Sequence, residues 1–190
     1  GKTTLAFIIS KQLRRPFFSL SAINSGVKDI REVIEKATKI KEDSGELPLL
    51  FIDEIHRFSK SQQDSLLGAV ERGLITLIGA TTENPSFEVI SPLLSRCQVY
   101  ILKPLSEADL TALLNKAIQG DEFLNKKQIH IKEYEALFRL SGGDGRKLLN
   151  VLEIVVNAVN QTKLTITNAL VTQQVQQNMA MYDKAGEQHY

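Results

Sequence analysis

Apolar positions along this chain recur with two periods, one helical and one extended. From Thr4 to Leu13 the apolar residues Leu5, Ile8, Ile9 and Leu13 follow a helical spacing. Pro16 then leads into Phe17-Phe18-Ser19-Leu20, a short strand signal. Ser25-Gly26 precedes Val27, Ile30, Val33, Ile34 and Ala37, an amphipathic helix that should stop before Gly45. Leu49-Leu50-Phe51-Ile52 is a continuous apolar run after Pro48, the pattern of a strand buried on both faces of a parallel sheet. Ser59 or Ser61 caps a helix carrying Leu66, Leu67 and Val70 that ends near Gly73. Leu74 to Ala80 is a further buried-strand run, followed by a short helix around Pro92 to Leu94 and a last strand at Val99 to Leu102. Strand and helix alternate throughout, which predicts an α/β fold with a doubly wound parallel sheet.

After Pro104 the pattern changes. Ser106 caps a helix with Leu110, Leu113, Leu114 and Ala117, and helical stretches follow at about 133–140, 146–160 and 167–178. This predicts an α/β core over residues 1–103 and a small all-helical domain over 104–178. The polar stretch 179–190 has no apolar period and reads as a linker.

Composition narrows the function classes. With 190 residues, 43% of them hydrophobic, the chain supports one core plus a small satellite. Lys+Arg (23) and Asp+Glu (22) nearly cancel, so any nucleic-acid binding must come from a local patch. The single cysteine, Cys97, excludes an internal disulfide and a multi-cysteine metal site, fits a reducing cytosol, and is expected as a small buried packing residue. Nothing approaches a membrane-spanning apolar run, and no charged leader precedes an apolar segment, so the reading is a soluble, cytoplasmic protein. The chain starts without Met and inside a motif, so a signal upstream of Gly1 would not be visible.

Chemistry concentrates in a few places. Gly1-Lys2-Thr3-Thr4 matches the second half of a phosphate-binding loop, in which the lysine reaches the outer phosphates, a hydroxyl ligates Mg²⁺ and the following helix points its positive end at the anion. By itself Gly-Lys-Thr is also an ordinary helix start. Downstream, the run Leu49–Ile52 ends in Asp53-Glu54, two adjacent carboxylates at the edge of a buried strand, costly there unless a cation or polarised water pairs with them. Asp53 would orient Mg²⁺, and Glu54 would act as general base toward an attacking water. His56, two residues on, reads as a satisfied polar residue on the turn. A polar side chain in Thr81-Thr82-Glu83-Asn84, beside the carboxylates, would bond the attacking water or the γ-phosphate. Arg96, beyond a short helix, is free to project toward a neighbouring subunit, with an ordinary surface salt bridge as the alternative. Arg146 follows the candidate N-cap Asp144, where the helix dipole slightly disfavours a cation, so a nucleotide-sensing role is attractive.

With these elements in this order the chain resembles the AAA+ ATPases of the clamp-loader branch. Gly1-Lys2-Thr3 looks like the end of Walker A and Asp53-Glu54 like Walker B. Thr82 looks like sensor 1, Ser95-Arg96-Cys97 like the arginine-finger motif, and Gly143-Asp144-Gly145-Arg146 like sensor 2. Asn84 stands at the clamp-loader spacing for sensor 1, but Thr82 fits the strand end better. The stretches Phe51–Phe58 and Ile78–Phe87, with the tail Tyr182–Tyr190, are similar to the replication-associated recombination protein A family, whose eukaryotic relative is the Werner-helicase-interacting protein. The resemblance implies a P-loop α/β core whose first strand precedes Gly1, followed by a helical lid. It implies ATP and Mg²⁺ as cofactors, bound by Gly1, Lys2, Thr3, Thr4, Asp53, Asn84 and Arg146, with Thr3 and Asp53 on the metal. Glu54, Thr82 and, in trans, Arg96 would be catalytic. It further implies a DNA-dependent ATPase at replication forks and single-strand/double-strand junctions, nucleoid-associated, tetrameric through a C-terminal domain, and working with single-strand-binding protein. By the same resemblance Ser25, Lys28 and Arg31, at the helix after the first of these strands, would touch a DNA backbone. Alternatives are a clamp-loader or branch-migration subunit, and a non-hydrolysing nucleotide switch.

Overall fold

The apolar run Leu49–Ile52 becomes the central strand of a parallel sheet. The computed structural model describes residues 1–159 and 161–186, which fall into two units, Gly1–Tyr100 and Ile101–Tyr190. In the first unit β1 (Phe17–Ser21), β2 (Leu49–Asp53) and β3 (Thr76–Gly79) lie in the order β1-β2-β3. Phe17 pairs with Leu49 and Leu49 with Thr76, all in parallel, so the carboxyl ends of the strands share one edge. Leu49, Leu50, Phe51 and Ile52 are buried because both faces of β2 are covered. On one face Leu50 and Ile52 pack in a core with Ile30 of α2 (Val27–Ser44) and Leu66 of α3 (Lys60–Glu71). On the other, Phe51 packs with Ala6 of α1 (Lys2–Leu13) and with Ala80. Each large apolar side chain so buried stabilises the fold by roughly 1.5–3 kcal/mol.

α1 meets the sheet through a narrower face than its apolar period suggests. Ala6 and Ser10 are buried, whereas Leu5, Phe7, Ile8 and Leu13 are exposed. Of the two candidate caps of α3 it is Ser59 that serves: its Oγ accepts the Gln62 N–H at 3.3 Å, and Gln62 Oε1 accepts the Ser59 N–H at 2.9 Å. The buried Gln63 donates to the carbonyls of Phe58 (3.0 Å) and Glu88 (3.1 Å) and accepts from Ile90 N–H (2.9 Å), which fixes the segment holding α4 (Pro85–Glu88) and α5 (Ser91–Leu94) on the body.

Two expectations at the end of this unit are corrected. Val99–Leu102 is not a strand: among the described residues nothing pairs with it, and a strand without a ladder partner has no hydrogen bonds to define it. Tyr100 and Ile101 are 81% and 87% exposed. Cys97 is exposed rather than buried, because this segment, following α5, is not covered by a neighbouring element.

The second unit has a core of Leu110, Leu114, Leu137, Leu148, Leu152, Val155 and Val171. It joins α6 (Glu107–Gly120), α7 (Glu122–Asn125), α8 (Glu135–Ser141), α9 (Gly145–Ala158) and α10 (Asn168–Gly186). To these helices the structure adds β4 (Gln128–Ile131) and β5 (Lys163–Ile166), a short parallel ladder in which Leu164 and Ile166 alternate into the core. α10 runs on to Gly186, past Met179, where the absence of an apolar period pointed to a linker; Ala180, Lys184 and Ala185 are good helix formers and propagate it without that period. The family-like stretch at 187–190 lies outside the described residues.

Gly143 has φ 79° and a Cβ there would lie 2.6 Å from Pro104 Cβ, so only glycine fits before the N-cap Asp144. Asp144 Oδ1 accepts the amides of Arg146 (2.8 Å) and Lys147 (3.0 Å), as expected for a cap. The Lys147 amide, with that of Arg146, holds the Asp144 carboxyl below the usual carboxylate range. The unfolded chain therefore takes up the proton at a higher pH than the folded one, so the cap contributes fully above the ordinary carboxylate pKa and fades as pH falls through the lowered value. Asp144→Ala should cost about 1 kcal/mol at neutral pH. In urea unfolding monitored by circular dichroism, the gap between variant and wild type should close on acidification; a gap independent of pH would exclude the carboxylate as its cause.

Candidate nucleotide-binding site

The shared carboxyl edge of the sheet collects the motif residues. β2 ends at Asp53, and the chain turns sharply at Glu54, whose backbone is left-handed (φ 52°, ψ 49°), an uncommon state for a non-glycine residue. That turn is anchored: Ala80 N–H donates to Ile52 carbonyl (2.8 Å) and Ile55 N–H to Ala80 carbonyl (2.9 Å). The twist at Glu54 brings its carboxylate back over the end of β3. Glu54 Oε2 accepts both the backbone N–H and the hydroxyl of Thr82, each at 3.2 Å. His56 Nδ1 lies 3.1 Å from the same oxygen and 2.9 Å from Thr81 Oγ1, so with its proton on Nδ1 the ring donates toward the carboxylate.

Lys2 reaches the same place from the start of α1: its Nζ donates to Thr81 carbonyl at 2.9 Å. Lys2, Thr81, His56, Glu54 and Thr82 thus form one connected set drawn from three separated stretches. Gly1, Thr3 and Thr4 are exposed at the first turn of α1, a helix with no acidic residue in that turn. The helix start is therefore positive and open. The donor set fits a magnesium nucleotide: Thr3 hydroxyl and Asp53 carboxylate are hard oxygen donors, and among the described residues the Lys2 cation is satisfied by a neutral carbonyl alone. Lys2 can exchange that carbonyl for a phosphate with a gain in charge pairing.

His56 is the residue that sequence reasoning set aside. Its contact with Glu54 depends on β3 delivering Thr81 beside the turn, which local sequence does not encode; the only signal was its place two residues past the carboxylates. Asn84 differs from Thr82 in its use. Its side-chain oxygen accepts the Ser86 N–H (3.0 Å) as the cap of α4, whereas Thr82 is bonded to Glu54.

Arg96 is not in this set. Its Nη1 donates to Pro92 carbonyl (2.8 Å) and Ser95 Oγ (3.2 Å), and its Nη2 lies 2.5 Å from Glu71 Oε1. Arg146 belongs to the second unit, exposed in the first turn of α9. Lys28 and Arg31 are exposed on α2 and Ser25 is half-buried before it. The start of α2 is less open than the sequence suggested, since Asp29 Oδ2 accepts the Gly26 N–H at 2.6 Å and puts a negative charge where a phosphate would sit.

Comparison with known proteins places the chain in a family. Residues 1–105 match the ATPase family associated with various cellular activities (AAA), and residues 125–190 match the AAA C-terminal domain. The whole chain is 44% identical to replication-associated recombination protein A of Coxiella burnetii and 40% identical to that of Escherichia coli K12, covering 44% of each. It is 37% identical to the ATPase WRNIP1 of Dictyostelium discoideum, covering 24% of it. The chain thus spans less than half the length of these relatives. Among solved structures, the Thermotoga maritima RuvB Holliday junction branch migration motor aligns with a TM-score of 0.71 and 26% identity, over 93% of this chain and 57% of that one.

Proposed function

The chain belongs to the AAA family of ATPases, and from that premise we propose that it is the nucleotide-binding core of a DNA-directed ATPase of replication and recombination. The observation that carries this reading is the carboxylate of Glu54, turned by a left-handed backbone onto Thr82 and His56 at the sheet edge where Lys2 also arrives. In the proposed reaction Lys2 and the amides at the start of α1 hold the phosphates of ATP. Thr3 and Asp53 would hold Mg²⁺, which would neutralise phosphate charge when bound. Glu54 takes the proton of the attacking water, and Thr82 steers that carboxylate or the water itself. Asn84 and Arg146 are further proposed nucleotide contacts. Arg96 acts on the ATP of a neighbouring subunit, so the active form is an oligomer. Residues 1–103 would be the α/β core and 104–178 the lid.

The relatives' names support replication and recombination as the setting, and replication forks belong to the proposal. Tetramer formation, single-strand-binding protein as a partner and a cytoplasmic, nucleoid-associated location belong to the same proposal. A branch-migration motor is the second reading, favoured by the similarity to RuvB.

The test is steady-state ATP hydrolysis by the full-length protein with and without forked DNA. Forked DNA is expected to raise the rate severalfold. Lys28→Glu with Arg31→Glu should weaken that stimulation and leave the rate without DNA unchanged. Stimulation only by four-way junctions would favour the branch-migration reading, and hydrolysis by none of these mixtures would leave a nucleotide switch.

A further inference from the structure

Arg96 lies in a stretch that is neither helix nor strand after α5, yet its guanidinium has a defined direction. Two of its N–H groups are taken locally, by Ser95 Oγ and by the carbonyl of Pro92 in α5, both within four residues of Arg96. The third contact is different. Glu71 is the last residue of α3, a helix fixed to the sheet through the fully buried Leu66 and Ala69. Its carboxylate, 2.5 Å from Arg96 Nη2, therefore stands on a rigid element. Among the described residues Glu71 has no other ion-pair partner.

We propose that Glu71 is a positioning residue for Arg96, fixing from the end of α3 the direction in which the guanidinium leaves its subunit. The inference rests on the reading of Arg96 as a group acting on the neighbouring subunit's ATP. Both side chains are 43% exposed, so the pair is weak and salt-screened and orients the arginine without trapping it. The fork still has its Nε–H and one Nη2 N–H without a partner among the described residues, enough to meet a phosphate edge-on. A more highly charged phosphate then draws the guanidinium from a pose that is already ordered and partly exposed. The entropy of ordering a long side chain is lost before the neighbour's ATP arrives rather than at the moment of reaction.

The experiment is a double-mutant cycle on kcat in the full-length protein with saturating forked DNA. Glu71→Gln keeps the side chain's size at an exposed site, so the fold should hold and its melting temperature should match wild type. The expected result is a fall in kcat of about five- to tenfold with KM for ATP changed less than about twofold. Arg96→Ala should fall much further, and adding Glu71→Gln to it should cause no additional loss. The same loss from Glu71→Gln in both backgrounds would overturn the proposal, as would an unchanged or raised kcat, the latter marking the pair as an inhibitory latch. If Arg96→Ala itself leaves kcat unchanged, the reading of Arg96 has failed and the inference falls with it.

Discussion

Glu54→Gln in the full-length protein is expected to lower ATP turnover by roughly 10²- to 10⁴-fold while ATP affinity stays within a few-fold of wild type. The substitution is close to isosteric. The amide oxygen of glutamine can still accept the Thr82 N–H and hydroxyl that now bond Glu54 Oε2, so the left-handed turn keeps its anchors. What is lost is basicity: an amide does not take a proton from water at neutral pH. Lys2, Thr3 and Asp53, the proposed phosphate and metal ligands, are untouched, which is why binding should survive. Fluorescent-nucleotide titration beside steady-state hydrolysis separates the two. A fall in both together would assign Glu54 to binding, and hydrolysis within a few-fold of wild type would remove it as base. The neighbouring His56 sharpens the expectation. Its Nδ1 lies 3.1 Å from Glu54 Oε2, which also accepts the Thr82 N–H and hydroxyl, so with a proton on Nδ1 the carboxylate has three donors around one oxygen.

How far this was legible in the sequence varies with the range of the interactions. Leu49–Ile52 announces a strand buried on both faces because four successive apolar residues have no other economical placement, and the structure buries all of them. α2 was legible through its spacing and through Gly45 as its stop, with φ 72° at that glycine. Val99–Leu102 carries the same local signal as a strand, but strand formation also requires a partner, which a local pattern cannot supply. β4 and β5 escaped for the converse reason. They are four residues each, and Gln128 pairs with Lys163 across the whole of α8 and α9, a separation that no local pattern records. The site divides in the same way. Lys2, Asp53, Glu54 and Thr82 sit at spacings that a motif records, and the structure brings Lys2, Glu54 and Thr82 onto one hydrogen-bonded set. His56 and Glu71 matter through contacts with Thr81 and Arg96, each 25 residues away in the chain, and no motif predicts them.

Mixing full-length Arg96→Ala with full-length Glu54→Gln is expected to restore hydrolysis that neither variant has alone. Among the described residues Arg96 bonds Glu71, Pro92 and Ser95 within its own chain, and none of these is Lys2, Glu54 or Thr82. On the proposed reading it acts across an interface, and each catalytic centre takes its base from one subunit and its arginine from the next. Such an interface is head-to-tail, the kind that closes into a ring. Arg96→Ala alone should lose about 10³-fold or more in kcat, the scale of losing a trans-acting arginine. In an equimolar, randomly assembled mixture, a competent centre needs an Arg96→Ala subunit holding ATP beside a Glu54→Gln subunit, an arrangement at about one interface in four. Recovery should therefore approach roughly a quarter of the wild-type rate at full subunit exchange. A mixture no more active than its components, with exchange demonstrated by labelled subunits, would place Arg96 in its own subunit's chemistry or outside catalysis altogether. Recovery well above a quarter would show instead that subunits assort non-randomly, since random pairing caps the number of competent centres.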